Sequence, residues 1–386
     1  MNVVKKKSKL FAALPLLFFL LPSVASAQEY IRTDLVSSIP GDGTNPLNGH
    51  DAQLVNSWGL ARSASSTWWI SDNGTGVATL FNGVGNKQGL VVTIPVPQGA
   101  NPPAAPTGIV ANGTSDFALP GSTAAKFIFV TEQGIIAAWN GGNAAVIVKD
   151  NSKKGAIYKG CTIAEWNGKH YLYVTNFHSG EIEVYDSTFM PVTLGPHAFL
   201  TGDGGSFDFD RDNKEKDGEP SEPRGDFAPF NVQAIGTDLY VTYAKQDAKK
   251  QDEVDGAGLG FVDVFNPAGQ RLAHLQHGSW FNAPWGVASA PGEFGEFSHS
   301  LLVGQFGSGQ IAAFNPVNGR FIGLVKKSDK SILSIDGLWA LGFGAGNANS
   351  GPYNTLFFTA GPNDEHDGTF GTLVPVAGEL SEIDEP

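Results

Sequence analysis

Asp208, Asp210, Asp212 and Glu219 occupy positions 1, 3, 5 and 12 of a twelve-residue stretch. Alternate carboxylates followed by a distal glutamate are the spacing of an EF-hand-like loop, in which the chain wraps Ca2+ and the last carboxylate closes the shell. The match is partial. Asn213 stands where the turn glycine belongs, Glu215 stands where an apolar residue is usual, and no helical pattern flanks the stretch. A solvated acidic loop is the competing reading of the same residues. Calcium held here would be bound weakly, as in extracellular modules.

A second polar set is dispersed along the chain. Asn56, Asn231, Asn282 and Asp336 precede or open apolar runs. Asp72, Asn73, Glu132, Asn176, His178, Lys245, Asp247, Gln305, Asn363, Asp364, Glu365 and His366 close or follow such runs. Oxygen ligands of this kind suit a divalent cation, with Asp336, Asn282 and Asn231 as its candidate ligands. His178 and His366 are the candidates to move a proton. The same residue types are ordinary turn formers, at home at positive φ and in side-chain-capped turns. Which reading holds depends on whether the fold gathers them.

An internal repeat says that it does. A small residue opens an apolar strand at Gly59, Gly108, Gly160, Asn231, Gly286 and Ala340, with steps of 49, 52, 71, 55 and 54 residues. In four of the six units the residue before it is aromatic, as in Trp58-Gly59 and Trp285-Gly286. A β-branched and aromatic strand follows, as in Trp68-Trp69-Ile70-Ser71 and Leu301-Leu302-Val303-Gly304. A third strand ends in an aromatic residue followed by Asn or Asp, as in Phe81-Asn82 and Tyr185-Asp186, and a weaker fourth strand comes after the turn. Six units of four antiparallel strands at this period predict a six-bladed β-propeller, an all-β fold. A β-sandwich is the alternative, and would not require the period. The sixth unit lacks its third landmark and ends Thr372-Leu373-Val374, while Tyr30 to Ser37 is a β-rich segment without a unit. The N-terminal strand is therefore expected to complete blade six and close the ring. Strand parity then puts the loop leading into each first strand on the same face as the turn between the second and third strands. That face surrounds the channel mouth, and both halves of the dispersed set lie on it.

The remaining features bound the setting. Lys5, Lys6, Lys7 and Lys9, the apolar run Leu10 to Leu21 and Ala25-Ser26-Ala27 read as a signal peptide over residues 1–27, with an uncleaved anchor as the alternative. The expected location is periplasmic or extracellular. The propeller is assigned to 28–376 and an acidic C-terminal tail to 377–386. Removing 1–27 takes four basic residues and no acidic one, moving the formal net charge from −13 to −17. Such a surface repels nucleic acid and anionic lipid. No second long apolar run suggests a membrane span in the mature chain, and a monomer is expected. Cys161 stands alone in an apolar stretch, so no intramolecular disulfide forms and a core role is expected. Lys245 to Gly258 interrupts the fourth unit and reads as a flexible lid or partner loop. Asn73-Gly74-Thr75 and Asn112-Gly113-Thr114 match glycosylation acceptors and read equally well as turns. Gly-x-Ser-x-Gly, His-Glu-x-x-His, phosphate-loop and Cys-x-x-Cys patterns are absent.

The repeat resembles NHL-type propellers. Ala228-Pro229-Phe230-Asn231-Val232-Gln233, Asn282-Ala283-Pro284-Trp285-Gly286, Ile335-Asp336-Gly337-Leu338-Trp339 and Phe358-Thr359-Ala360-Gly361-Pro362-Asn363 resemble a family of bacterial exported proteins of unassigned function. Some of its members carry a Pro-Glu-Pro sorting tail. The resemblance implies a six-bladed propeller and export, and no reaction. Two functions fit these readings. One is an exported propeller that binds a protein, polysaccharide or envelope partner, or a small molecule, through loops at one channel mouth. The other is a metal-dependent hydrolase or lyase acting on a lactone-like substrate in the channel.

Overall fold

The computed structural model describes residues 29–44, 49–201 and 226–376. Residues 1–27, the Asp208, Asp210, Asp212 and Glu219 set and the tail 377–386 lie outside the described residues. Six antiparallel sheets follow one another as blades. Blade one runs Ser57–Ala61, Trp68–Asp72, Val77–Phe81 and Val92–Thr93. Blade two begins at Pro106–Ala111, blade four at Phe227–Ile235 and blade five at Pro284–Ser289, each with four strands. Blade three shows three strands among the described residues, Tyr158–Trp166, Lys169–Asn176 and Glu181–Tyr185. Blade six consists of Leu338–Phe343, Leu356–Ala360 and Thr369–Pro375 with Tyr30–Ser37 as its outer strand. The six-bladed ring closed by the N-terminal strand is thus the fold, as the repeat predicted.

Alternation explains the core. The second strands, such as Phe127–Thr131 and Leu301–Gln305, are buried throughout because blades stack on both their faces. Outer strands such as Val146–Asp150 are largely exposed. Burying a blade against its neighbours is the main source of stability, since the one cysteine is free and buried.

The inner strands share one irregularity. Pairing with the second strand skips between Ser57 and Leu60, Pro106 and Ile109, Tyr158 and Gly160, Pro229 and Asn231, Pro284 and Val287, and Leu338 and Leu341. A bulge inserts a residue, bends the strand and re-aims the side chain it carries. The small residue of the repeat sits in or beside it for a steric reason. A Cβ on Gly59 would lie 2.4 Å from the Thr107 carbonyl oxygen, and one on Gly286 would lie 2.4 Å from that of Trp339. Side chains lock the same strands across blades. Thr107 Oγ1 donates to Tyr158 O at 2.7 Å, Asn231 Nδ2 to Trp285 O at 2.9 Å, and Thr359 Oγ1 to Trp58 O at 2.5 Å. The axis is consequently almost filled. Its cavity, bounded by Gly59, Gly108, Cys161, Asn231, Gly286 and Ala340, is about 20 Å³, room for about one water.

Tyr30 fastens the closing strand to blade five as well as to blade six. Its buried hydroxyl donates to Phe294 O at 2.8 Å and accepts from Phe297 N at 3.3 Å. Tyr30→Ala is expected to lower the unfolding free energy by about 3–5 kcal/mol, and Tyr30→Phe by about 1 kcal/mol. Urea unfolding reads both, and a Tyr30→Ala loss within about 0.5 kcal/mol of zero would detach this strand from the ring.

Candidate functional site

The residue that each bulge re-aims is Trp58, Thr107, Lys159, Phe230, Trp285 and Trp339 in blades one to six. The four aromatic members meet at one end of the axis. Trp58 and Trp339 lie 3.7 Å apart between ring centroids, and Trp285 stands edge-on to both at 6.1 and 5.8 Å. Phe230 and Phe177 extend the cluster on one side, and half-buried Phe306 stacks on Trp339 at 4.0 Å. These rings form the floor of the mouth on the face where the turns between second and third strands converge.

Lys159 is the exception in this ring of positions. Its side chain is 1% exposed, with Nζ 4.9 Å from the Trp58 ring and 5.8 Å from that of Phe177. A buried ammonium persists only when paired. Glu132 Oε1 lies 2.5 Å away and Asp252 Oδ1 3.2 Å away. Burial alone would push the lysine's pKa down. Glu132, Glu253 and Asp252 outweigh that and hold it above its ordinary value.

The acids come from three blades. Glu132 follows the second strand of blade two, and Asp252, Glu253 and Asp255 belong to the blade-four insertion. Glu365 follows the second strand of blade six. Desolvation pushes half-buried Glu253 up to about 8, helped by Glu365 and Asp255 and opposed by Lys159. Desolvation likewise pushes Glu365 up to about 7, with Glu132 and Asp252 adding to it. Burial also raises the Asp255 pKa. Near neutral pH, two of these carboxyls therefore share time between the acid and the carboxylate.

Strained backbone and amide side chains hold the acids in place. Asn363, Asp364 and Glu365 are three successive residues with φ of 59°, 51° and 63°, a left-handed run that costs about 1 kcal/mol or more per residue. Asn56, at φ 47°, anchors its far end: Asn56 Nδ2 donates to Glu365 Oε2 at 2.8 Å. Asn56 Oδ1 accepts from Trp58 Nε1 at 2.9 Å and from Trp339 Nε1 at 3.0 Å, tying acid to floor. Asn73 Nδ2 donates to Glu132 Oε2 at 3.0 Å. The insertion folds across the mouth: Gln246 Nε2 donates to Phe177 O at 2.5 Å and Gly256 N to Asn282 Oδ1 at 2.7 Å. Beside it, Glu132, Ser152, Ile157, His178, Lys249 and Gln251 border a cleft of about 290 Å³.

The dispersed polar set divides at this point. Asn56, Asn73, Glu132, Asn282 and Glu365 are brought to the mouth. Asn363 and Asp364 are exposed on its rim, and exposed Asp336 accepts from Asn363 N at 2.9 Å. Asn176 holds Glu183 at 2.8 Å. Asp72 and Gln305 are fully buried and satisfied internally, Asp72 by Thr79 Oγ1 at 2.7 Å and Gln305 by Asn282 N at 2.9 Å. Asn231 is used between strands, as described above. His178 borders the cleft with Nδ1 3.2 Å from Lys250 O, and His366 is exposed on the rim. Both glycosylation-pattern asparagines serve as donors, Asn73 to Glu132 and Asn112 to Asp116 O and Ala125 O. Among the described residues, no three His, Cys, Asp or Glu side chains stand close enough to hold a metal. Sequence reasoning missed Lys159 and the acids at 252, 253 and 255. The signal for Lys159 was a charged residue at a position otherwise aromatic or Thr.

No family model matches the chain. Two uncharacterized proteins of Acanthamoeba polyphaga mimivirus are similar to it. One is 29% identical over 353 residues, covering 89% of this chain and 80% of the relative. The other is 28% identical over 341 residues, covering 86% and 83%. Among solved structures, a streptogramin B lyase matches with a TM-score of 0.50 at 10% identity, covering 90% of this chain and 98% of that one. A protein of unknown function from Bacteroides thetaiotaomicron matches with a TM-score of 0.54 at 10% identity, covering 90% and 76%. At these identities the structural matches speak to the propeller fold alone. No helix among the described residues is long and apolar enough to cross a membrane.

The raised carboxyls fix the sign of a pH effect. A carboxyl whose folded pKa exceeds its unfolded value binds more protons in the native state, so stability falls as pH rises between the two values. For Glu253 and Glu365 that window runs from the ordinary glutamate value of 4.5 up to about 8 and about 7. The Glu253→Gln, Glu365→Gln double variant is expected to lose less stability than wild type from the low end of this window to the high end. The expected difference is at least about 1 kcal/mol, near the worth of one pKa unit. Parallel denaturant curves at the two ends would refute the assignment.

Proposed function

We propose that this protein is a binding propeller whose mouth receives a positively charged group of its ligand. The observation that carries this reading is the convergence of Glu132, Asp252, Glu253, Asp255 and Glu365 around the buried Lys159, over an aromatic floor. Acids exceeding their internal counter-charge, above π faces, favour an incoming cation electrostatically. The water-sized axial cavity leaves the mouth as the place of contact. Export belongs to the same proposal and rests on the basic, apolar and small-x-small order of residues 1–27. N-terminal sequencing of protein recovered outside the cytoplasm should begin near Gln28; an intact Met1 would count against it.

A second reading has its own support in Glu253 and Glu365, whose pKa values near the working pH suit a general acid of a hydrolase or lyase. A metal-dependent form of that reading would draw its cation ligands at least partly from acids outside the described residues, such as Asp208, Asp210, Asp212 and Glu219.

One experiment separates the two readings. The triple variant Asp252→Asn, Asp255→Asn, Glu365→Gln is compared with Glu165→Gln, Asp238→Asn, Glu293→Gln, which neutralises the same number of acidic side chains at the opposite face. Binding to immobilised polylysine should weaken about tenfold or more in the mouth variant, equivalent to about 1.4 kcal/mol, and little in the control. Equal weakening would reduce the effect to net charge and sink the mouth reading. Turnover of a lactone and ester panel that Glu253→Gln abolishes would replace binding with catalysis.

A further inference from the structure

Lys159 fills a space that the other five blades give to Trp58, Thr107, Phe230, Trp285 and Trp339. Its ammonium meets Glu132 and Asp252 at 2.5 and 3.2 Å and two ring faces at 4.9 and 5.8 Å. Two carboxylate oxygens take N–H donors and two ring faces meet the rest of the charge, the chemistry a primary ammonium needs.

Trp285 adds an independent observation. Its ring is 3% exposed in the same floor, edge-on to Trp58 and Trp339. Those two indoles share Asn56 Oδ1 as acceptor, whereas Trp285 Nε1–H has no partner among the described residues. A buried indole N–H that no protein group accepts from is free to donate to an oxygen of a bound molecule.

We propose that this floor is the seat of a primary alkylammonium ligand bearing a neutral hydroxyl, an amino alcohol or an amino sugar residue, and that Lys159 holds the seat in its absence. The ligand's ammonium replaces that of Lys159 between Glu132 and Asp252, and its hydroxyl accepts from Trp285 Nε1. A carboxylate-bearing amine is disfavoured, because its own anion would face the acids at 132, 252, 253, 255 and 365. The inference rests on the binding reading of the mouth and adds the ligand's chemistry to it. Lys159 acts as an internal competitor, so apparent affinity is lowered by the fraction of time the seat is free.

The test titrates wild type, Lys159→Ala and Trp285→Phe with 3-aminopropanol, n-propylammonium, propanol and 4-aminobutyrate. Tryptophan fluorescence and melting temperature are the readouts. Lys159→Ala should bind 3-aminopropanol at least about tenfold more tightly than wild type, the gain expected when a competitor that fills the seat nine-tenths of the time is removed. Propanol and 4-aminobutyrate should bind far more weakly. Trp285→Phe should abolish the preference for 3-aminopropanol over n-propylammonium. Lys159→Met refills the space without charge and guards against misfolding: it should fold and fail to bind. Should Lys159→Ala fold only with amine present, the saturable dependence on amine is itself the expected result. Absence of saturable amine binding in wild type, Lys159→Ala and Trp285→Phe overturns the seat. If polylysine still discriminates the mouth variant in that case, the binding reading survives without it. Amine binding in Lys159→Ala with no preference lost in Trp285→Phe overturns the hydroxyl contact.

Discussion

Six strands must approach a single axis, and in four of them no Cβ fits where they meet. The bulge in every inner strand solves that packing problem, and much of the rest follows from it. Gly59, Gly108, Gly160 and Gly286 let neighbouring backbones close to distances a side chain would forbid. The extra residue of the bulge turns the preceding side chain toward the mouth. Four blades use that direction to place an aromatic ring, and the rings seal the axis. One blade uses it to place a lysine. The acids that gather there answer a charge that the fold itself has buried.

This order of causes explains what could be read in advance. The period, the strand types and the ring-closing role of Tyr30–Ser37 were legible because they depend on local alternation and on a missing outer strand, both visible along the chain. Strand parity placed the loops correctly, and Asn56, Glu132 and Glu365 do meet. Parity cannot say which way a turn residue points. Asp72 turns back to cap Thr79, Gln305 to brace Asn282 and Asn231 to bridge two inner strands, because buried backbone amides and carbonyls need partners before any ligand does. Lys159 was passed over for a related reason. In a linear sequence a lysine reads as solvated, and only the register skip between Tyr158 and Gly160 turns it inward.

The blade-four insertion shows the same dependence. Its composition, mixed in charge and rich in Asp and Lys, suggested a flexible lid or partner loop. In the fold it forms part of the mouth, where largely exposed Asp252 reaches Lys159 Nζ at 3.2 Å and half-buried Glu253 adds to the field that holds the ammonium charged. Asp247 organises the turn behind them by accepting from Gln251 N at 2.8 Å and Lys249 N at 3.1 Å. The position of the insertion is thus set from both ends, by local turn chemistry and by one distant cation.

A buried ion pair is a poor way to gain stability. Replacing one by apolar groups of similar volume is often neutral or favourable, by about 1–4 kcal/mol. Blades one, four, five and six show that an aromatic side chain fits this position in the same molecule. The lysine in blade three therefore carries a cost that packing does not explain, and three further costs sit around it. Glu253 and Glu365 are held with raised pKa values, Asn363 to Glu365 run left-handed, and the Trp285 indole lacks an acceptor. Each is individually modest, and all lie at the same end of the axis as Lys159. Departures from local preference that cluster in this way are where a fold gives up stability for recognition. The mouth over Trp58 and Trp339 is where this chain does so.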